Sequence, residues 1–314
     1  MKRNIYSYSK LWMILFVLMG AACTNQVEDA IPVSGQPIEF SVQSDWKEIP
    51  NTRSNDKTQF GPNDAIQIFG FHKPFRDADE NVQFMYQEGD PTTGQKVTYD
   101  NGNWNYSPKR FWPKKGVLDF FASYPYNSVH YDVGNKRMTY NNNLTQDLLY
   151  GLATNRDCAS KDIVRIWMVH ALAKVKIILD SSLGKIGTVI VSGYKAGHFD
   201  YTIGGVPAWE IDDKTPSYAT FYKYPYNGYE ADEELKNNNS VTVFILPKKI
   251  TRIQMFSDVE PYPKIYDTYP SDEIQKHEFL AGHVYNLTIS KSNGVRKKNT
   301  NSRSIAMSVR CVSE

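Results

Sequence analysis

Apolar residues in this chain recur at every second position over short runs, and turn-forming residues separate the runs. Ile38, Phe40 and Val42 alternate with polar neighbours, and Ile66 and Ile68 open a second run that leads into Phe71. Val117–Tyr124 (VLDFFASY) is longer and reads as a more buried strand. Further runs of this kind are Ile163–Val169, Lys174–Leu179, Thr188–Ser192, Ala219–Tyr224, Val241–Leu246, Arg252–Phe256 and Val284–Ile289. Between them stand Gly61-Pro62-Asn63-Asp64, Asp100-Asn101-Gly102-Asn103, Asn141-Asn142-Asn143, Gly204-Gly205 and Asn227-Gly228. A period of two with β-branched and aromatic residues is the signal of a half-buried strand. No long stretch sustains a period of 3.6, and Ala171–Lys174 is the best short candidate for a helical turn or bulge. Many short strands, spaced by about 8–12 residues, predict an all-β chain of antiparallel sandwiches. The 21 Tyr, 15 Phe and 6 Trp fit that class, because flat rings pack well on a pleated surface.

The N-terminus follows a different rule. Lys2, Arg3 and Lys10 precede the apolar run Leu11–Met19. That run is too short for a spanning helix, which needs about 20 apolar residues, and has the length of a signal-peptide core. Gly20-Ala21-Ala22-Cys23 then resembles a bacterial lipobox. Residues 1–22 are therefore expected to be a lipoprotein signal peptide and Cys23 the lipidated first residue of the mature chain. Thr24-Asn25-Gln26 reads as a tether. Acyl chains, at about 0.8 kcal/mol per buried CH₂, hold such a protein on a membrane without a spanning helix. The alternative is an ordinary signal peptide with an incidental cysteine. The formal charge of +2 belongs to this segment. Without Lys2, Arg3 and Lys10, 33 basic residues face 34 acidic ones. Such a balance argues against nucleic acid as a partner, which requires a basic excess. Cys158 and Cys311 would enter an oxidising compartment, where they are read either as a pair or as separate thiols.

At about 150 residues per domain the length suggests two units. The polar stretch Thr154–Asp162 is the best boundary, giving a domain over 54–158 and another over 159–290. Phe121-x-x-Tyr124-Pro125-Tyr126-Asn127 recurs as Phe221-x-x-Tyr224-Pro225-Tyr226-Asn227, a weak echo between the halves. Residues 291–314 open with the basic segment Lys291–Arg303, read as a linker. Ile305, Met307, Val309 and Cys311 then alternate on one face. This last strand either folds back onto its own sheet or pairs with another molecule.

Motifs for chemistry are missing. The chain has no Gly-rich phosphate loop, zinc signature or nucleophile elbow. Its six histidines show no metal-ligand pairing, and His170, in an apolar run, reads as a satisfied structural histidine. Asp77, Asp79, Asn81 and Glu88 match four positions of an EF-hand loop, but Val82 stands where the turn demands Gly. The segment reads as a solvated acidic loop. No catalytic residue, metal or cofactor is expected. The aromatic segment Tyr218–Tyr229 (YATFYKYPYNGY) carries a second function class. Its rings are either a platform for a glycan or another partner, such as a ligand on a host or bacterial surface, or the core and cover of a sheet.

Several segments together resemble the fimbrillin family of Bacteroidales, the Mfa-like and FimA-like pilin subunits. They are Asn51-Thr52-Arg53-Ser54 before Phe60-x-x-Asn63-Asp64-x-Ile66, then Phe111-Trp112-Pro113 and Leu118–Tyr126 (LDFFASYPY). Asp147-Leu148-Leu149-Tyr150, His170–Val175 (HALAKV), Ile245-Leu246-Pro247 and Ala281-Gly282-His283-Val284-Tyr285 complete the set. The resemblance implies two tandem transthyretin-like antiparallel β-sandwich domains, exported as a lipoprotein to the outer membrane and polymerised into a surface fimbria that supports adhesion. Its partners would be other fimbrial subunits, and it would not be an enzyme.

The resemblance also implies strand exchange. A precursor's N-terminal strand fills a groove, a protease cuts after an arginine, and the C-terminal strand of a neighbour takes the vacated place. Residues 23–53 would then be the tether and removable strand, with Ile38, Phe40 and Val42 as the plug and Arg53 as the cleavage site. A permanent first strand is an equal reading of Ile38–Val42, and an ordinary loop arginine an equal reading of Arg53. Ile305, Met307, Val309 and Cys311 would be the donor strand, with Lys291–Arg303 as its hinge. The basic tail and its cysteine depart from the family's pattern.

Overall fold

The computed structural model describes residues 31–44, 59–77, 81–201, 208–257, 265–267, 278–291 and 294–302. Twenty strands fill most of that length. The first ten are β1 (Val33–Pro37), β2 (Phe40–Ser44), β3 (Ala65–Lys73), β4 (Val82–Met85), β5 (Gln95–Asp100), β6 (Asn103–Asn105), β7 (Phe111–Pro113), β8 (Val117–Tyr124), β9 (Val129–Asp132) and β10 (Arg137–Asn141). After them come β11 (Leu149–Asp157), β12 (Val164–His170), β13 (Ala173–Leu179), β14 (Ile186–Phe199) and β15 (Glu210–Tyr222). A single-turn helix, α1 (Glu233–Asn238), precedes β16 (Ser240–Ile245), β17 (Arg252–Ser257), β18 (Ile265–Asp267), β19 (His283–Ser290) and β20 (Gly294–Ser302). The all-β class read from the alternation holds.

The largest sheet has eight strands in the order β2-β12-β11-β8-β3-β5-β6, with β4 also on β3. Its neighbours are antiparallel except β2, which runs parallel to β12. The sheet curls until its two ends approach, and Trp104 on β6 donates from Nε1 to the carbonyl of Val42 on β2 (3.3 Å). The inner face holds one core, with Ile66, Ile68, Leu118, Phe120, Val164 and Ile166 among its members.

The outer face of β3, β8 and β11 presents Phe69, Phe71, Phe121 and Tyr150 to a second core. This explains why β3 and β8 are buried along almost their whole length. The layer that covers them is the hairpin β9–β10 joined to the far end of β14. There Met138 pairs with Phe199 and Tyr140 with Gly197. β14 is long enough to carry β15 along one edge, and β17 and then β10 along the other. Its near end, with β15 and β17, packs on the four-stranded sheet β16-β13-β19-β20 across a third core of Val175, Ile177, Val189, Val191, Val243 and Leu287.

Three expectations meet this architecture. The boundary expected between residues 158 and 159 falls in the loop joining β11 and β12, which pair with one another in the eight-stranded sheet. The segment expected as a hinge, Lys291–Arg303, contains β20, antiparallel to β19 from His283↔Ser302 to Ser290↔Gly294. Its polar composition suits a strand at a sheet's end. Ala171–Lys174 forms neither a helix nor a bulge: it joins β12 to β13, which begins at Ala173.

Candidate functional site

The expected plug residues stand side by side in one groove. Ile38, Phe40 and Val42 are all buried, while Glu39 and Gln43 between and after them are exposed. Alternate side chains enter the curled sheet because a strand presents successive residues to opposite faces. On one side β2 has a full ladder, from Phe40↔Val164 to Ser44↔Met168. The Val164 N–H reaches the Glu39 carbonyl at 2.8 Å.

On the other side, among the described residues, β2 meets ring donors and one loop rather than a strand ladder. The Tyr106 hydroxyl donates to the Ile38 carbonyl at 2.7 Å, and Trp104 Nε1 to the Val42 carbonyl. The Ile38 N–H meets the Arg110 carbonyl at 2.8 Å. Burial pushes the Tyr106 phenol up to about 12, so its hydroxyl remains a donor at neutral pH. The Phe40 ring is met edge-on by Tyr106 (5.7 Å) and Phe120 (5.4 Å). Ahead of it β1 makes a separate two-stranded pair with β7.

Alternation in the sequence marked Ile38, Phe40 and Val42 as one face but did not report the residues packed around them. Trp104 and Tyr106 alternate directly after the Asn101-Gly102 turn, which is the signal that was available. The partnership of β2 with β12 joins residues more than 120 positions apart, and no local pattern reports it. Cys23, Arg53, Ile305, Met307, Val309 and Cys311 lie outside the described residues.

The aromatic segment Tyr218–Tyr229 divides into three environments. Ala219 and Phe221 point into the core. Tyr222, Tyr226 and Tyr229 gather their rings at 5.4 and 5.6 Å around the turn that Asn227-Gly228 makes. Tyr218 stands apart, beside Tyr194 in a different hollow. Both copies of the sequence echo mark one local event: a buried Phe near a strand end, then a turn with Asn127 or Asn227 at positive φ.

His170 is buried against Asp147, whose carboxylate Oδ2 lies 2.7 Å from its Nδ1. It is the structural histidine that its apolar setting predicts. Among the described residues no group of three or more His, Cys, Asp or Glu could hold a metal ion, and no helix is long and apolar enough to cross a membrane.

The chain belongs to the fimbrillin-like family, whose model matches residues 52–306. Membership carries a structural role, that of a fimbrial subunit at the cell surface. The fold is similar to that of a "putative cell adhesion protein" from Bacteroides uniformis ATCC 8492, at 18% identity and a TM-score of 0.50, covering 85% of this chain and 98% of that one. A second protein so described, from Bacteroides ovatus ATCC 8483, is 14% identical over 85% of this chain and 96% of its own, with a TM-score of 0.46. A fimbrial assembly protein from Parabacteroides distasonis ATCC 8503 is 12% identical over 77% of this chain and 90% of its own, with a TM-score of 0.38. No curated protein matches the chain.

Proposed function

We propose that β2 is a stand-in strand, and that this subunit joins a fimbria by exchanging it for a strand of a neighbour. The observation that carries the proposal is the placement of β2. Among the described residues it is the end strand of its sheet, it is bound to one ladder, and no other strand depends on it for pairing. Its covalent link to β3 passes through the polar segment that contains Arg53. A cut there would leave β2 held by the ladder and by three buried side chains, which contribute roughly 5–9 kcal/mol. A groove emptied of them would bare Tyr106, Phe120 and Ile166, so assembly requires a replacement. Main-chain pairing supplies affinity for any incoming strand, and the pockets of Ile38, Phe40 and Val42 select alternate apolar side chains. Ile305, Met307, Val309 and Cys311 have that spacing. The family match begins at residue 52 and leaves β1 and β2 ahead of it, which supports a separable N-terminal segment. Cys23 would hold the precursor on the outer membrane through acyl chains until release.

Limited trypsin digestion of the precursor tests this reading. Cleavage at Arg53 is expected to yield oligomers on size-exclusion chromatography, and Arg53→Ala or deletion of residues 304–314 to prevent them. Cleaved chains that stay monomeric, with the deletion making no difference, would refute strand exchange. Acyl labelling that Cys23→Ser abolishes checks the anchor.

A further inference from the structure

The register of three strands sets Tyr218, Ser192 and Arg252 in one row. Ser192 on β14 pairs with Tyr218 on β15 and with Arg252 on β17. Their sequence neighbours Val191, Ala219 and Ile253 belong to the core, so the row faces away from it. Above the row lies a cavity of about 560 Å³, lined also by Tyr194, Asp213 and Lys249. That volume is in the range of small-molecule sites.

Two features make it a built site rather than a surface dimple. Ser192 is 2% exposed, and its hydroxyl has no hydrogen-bond partner in the structure. An unpaired buried hydroxyl costs stability that alanine would avoid, so its presence calls for a partner from outside. Tyr218 is 60% exposed although it sits mid-strand beside a buried serine. The Tyr194 ring is covered by the Lys248 ammonium at 5.6 Å. Burial first, and then the Asp213 carboxylate, raises the Tyr194 phenol above its ordinary value, which keeps it a hydroxyl donor.

We propose that this cavity binds a saccharide bearing a carboxylate. The tyrosines supply flat faces with polar rims, which suit a sugar ring. Lys249 and Arg252 supply cations for the acid group, and Arg offers the fork that matches a carboxylate. Asp213 accepts from ring hydroxyls, and Ser192 exchanges a hydrogen bond with one of them. An extended peptide fits less well. It binds by adding to a free strand edge, and at this row β14 is paired on both sides. A bare inorganic anion would have no use for the aromatic wall. The site is distant in sequence from β2 and operates whether or not that strand is exchanged.

Titration calorimetry of the full chain with trigalacturonate, 3′-sialyllactose and neutral lactose decides the matter. At least one acidic probe is expected to bind, and lactose to bind about tenfold more weakly or not at all. Tyr218→Ala, at an exposed position, and Lys249→Gln are each expected to weaken the acidic probe about tenfold. Ser192→Ala is expected to weaken binding without lowering the melting temperature, which a purely structural serine would not do. Failure of both acidic probes to bind, equal binding of lactose, or unchanged affinity in Tyr218→Ala would each overturn the proposal.

Discussion

Cys158 stands fully buried in the inner core of the eight-stranded sheet, a free thiol whose N–H meets the Gly116 carbonyl. Its polar sequence neighbours Asn155-Arg156-Asp157 gave no hint of that burial, because they face outward at the end of β11 while Cys158 turns in. Burial first, and the nearby Asp157 charge second, pushes its thiol up to about 12. The thiolate is the nucleophile, so at pH 8 almost none of this residue is reactive. Iodoacetamide at pH 8, followed by peptide mass spectrometry, is expected to leave Cys158 unmodified in the native protein and to modify it fully in urea. Raising the pH toward 12 should increase native labelling only as far as the fold survives. Full labelling of native Cys158 at pH 8 would contradict its placement. Gly116, whose carbonyl receives the Cys158 N–H, is itself tightly constrained. Its φ is +88°, and a Cβ there would run into the Lys73 carbonyl, so the loop before β8 requires glycine.

Among the elements, strand existence was readable from alternation, and strand partnership was not. Val241–Leu246 and Val284–Ile289 appear as β16 and β19 within a residue of their expected bounds. β14 and β15 extend well past the apolar runs Thr188–Ser192 and Ala219–Tyr224, because their far ends have mixed composition and are set by tertiary pairing. α1 has one apolar residue, Leu235, too few to give a periodic signal. Its signal was the N-cap: Asp232 accepts from Leu235 N, with Glu233 and Glu234 in the first turn. β12 connects β2 to the rest of its sheet. Gly151 on β11 allows β12 to approach. A Cβ at 151 would lie 2.5 Å from the Trp167 carbonyl oxygen and 2.7 Å from Ile166 Cγ2. Ile166 is the residue opposite Val42. Gly151→Ala is therefore expected to destabilise the fold by about 1–3 kcal/mol. It should also speed the loss of β2 after cleavage at Arg53, because its ladder shifts with β12. Urea unfolding gives the first quantity, and the rate of N-terminal fragment release gives the second. A variant with wild-type stability and release would show that the close approach carries no load.

At the scale of the whole molecule, strands from either side of the polar stretch Thr154–Asp162 share sheets. β12, from beyond that stretch, extends the eight-stranded sheet and is the only ladder partner of β2 among the described residues. β9 and β10, from before it, complete a sheet built mainly of later strands. Phe69, Phe71, Phe121 and Tyr150 are covered partly by Phe199, Tyr201, Ala171 and Leu172. Composition and length could suggest how many cores to expect, but not that strands from one half would finish the sheets of the other. That is a property of pairing over long separations. It has a consequence for truncation. A chain ending at residue 158 loses β12, leaves β11 with an open edge, strips β10 of β14 and bares an aromatic face. Open edges and exposed apolar faces drive association rather than folding. Such a fragment is expected to be insoluble or to associate, whereas a chain that continues through β19 and β20 unfolds in one cooperative transition. Solubility on expression and calorimetry of the two chains distinguish the cases. A monomeric, cooperatively melting fragment ending at 158 would mean that the shared sheet and the aromatic layer contribute little, and that the first half holds its groove by itself.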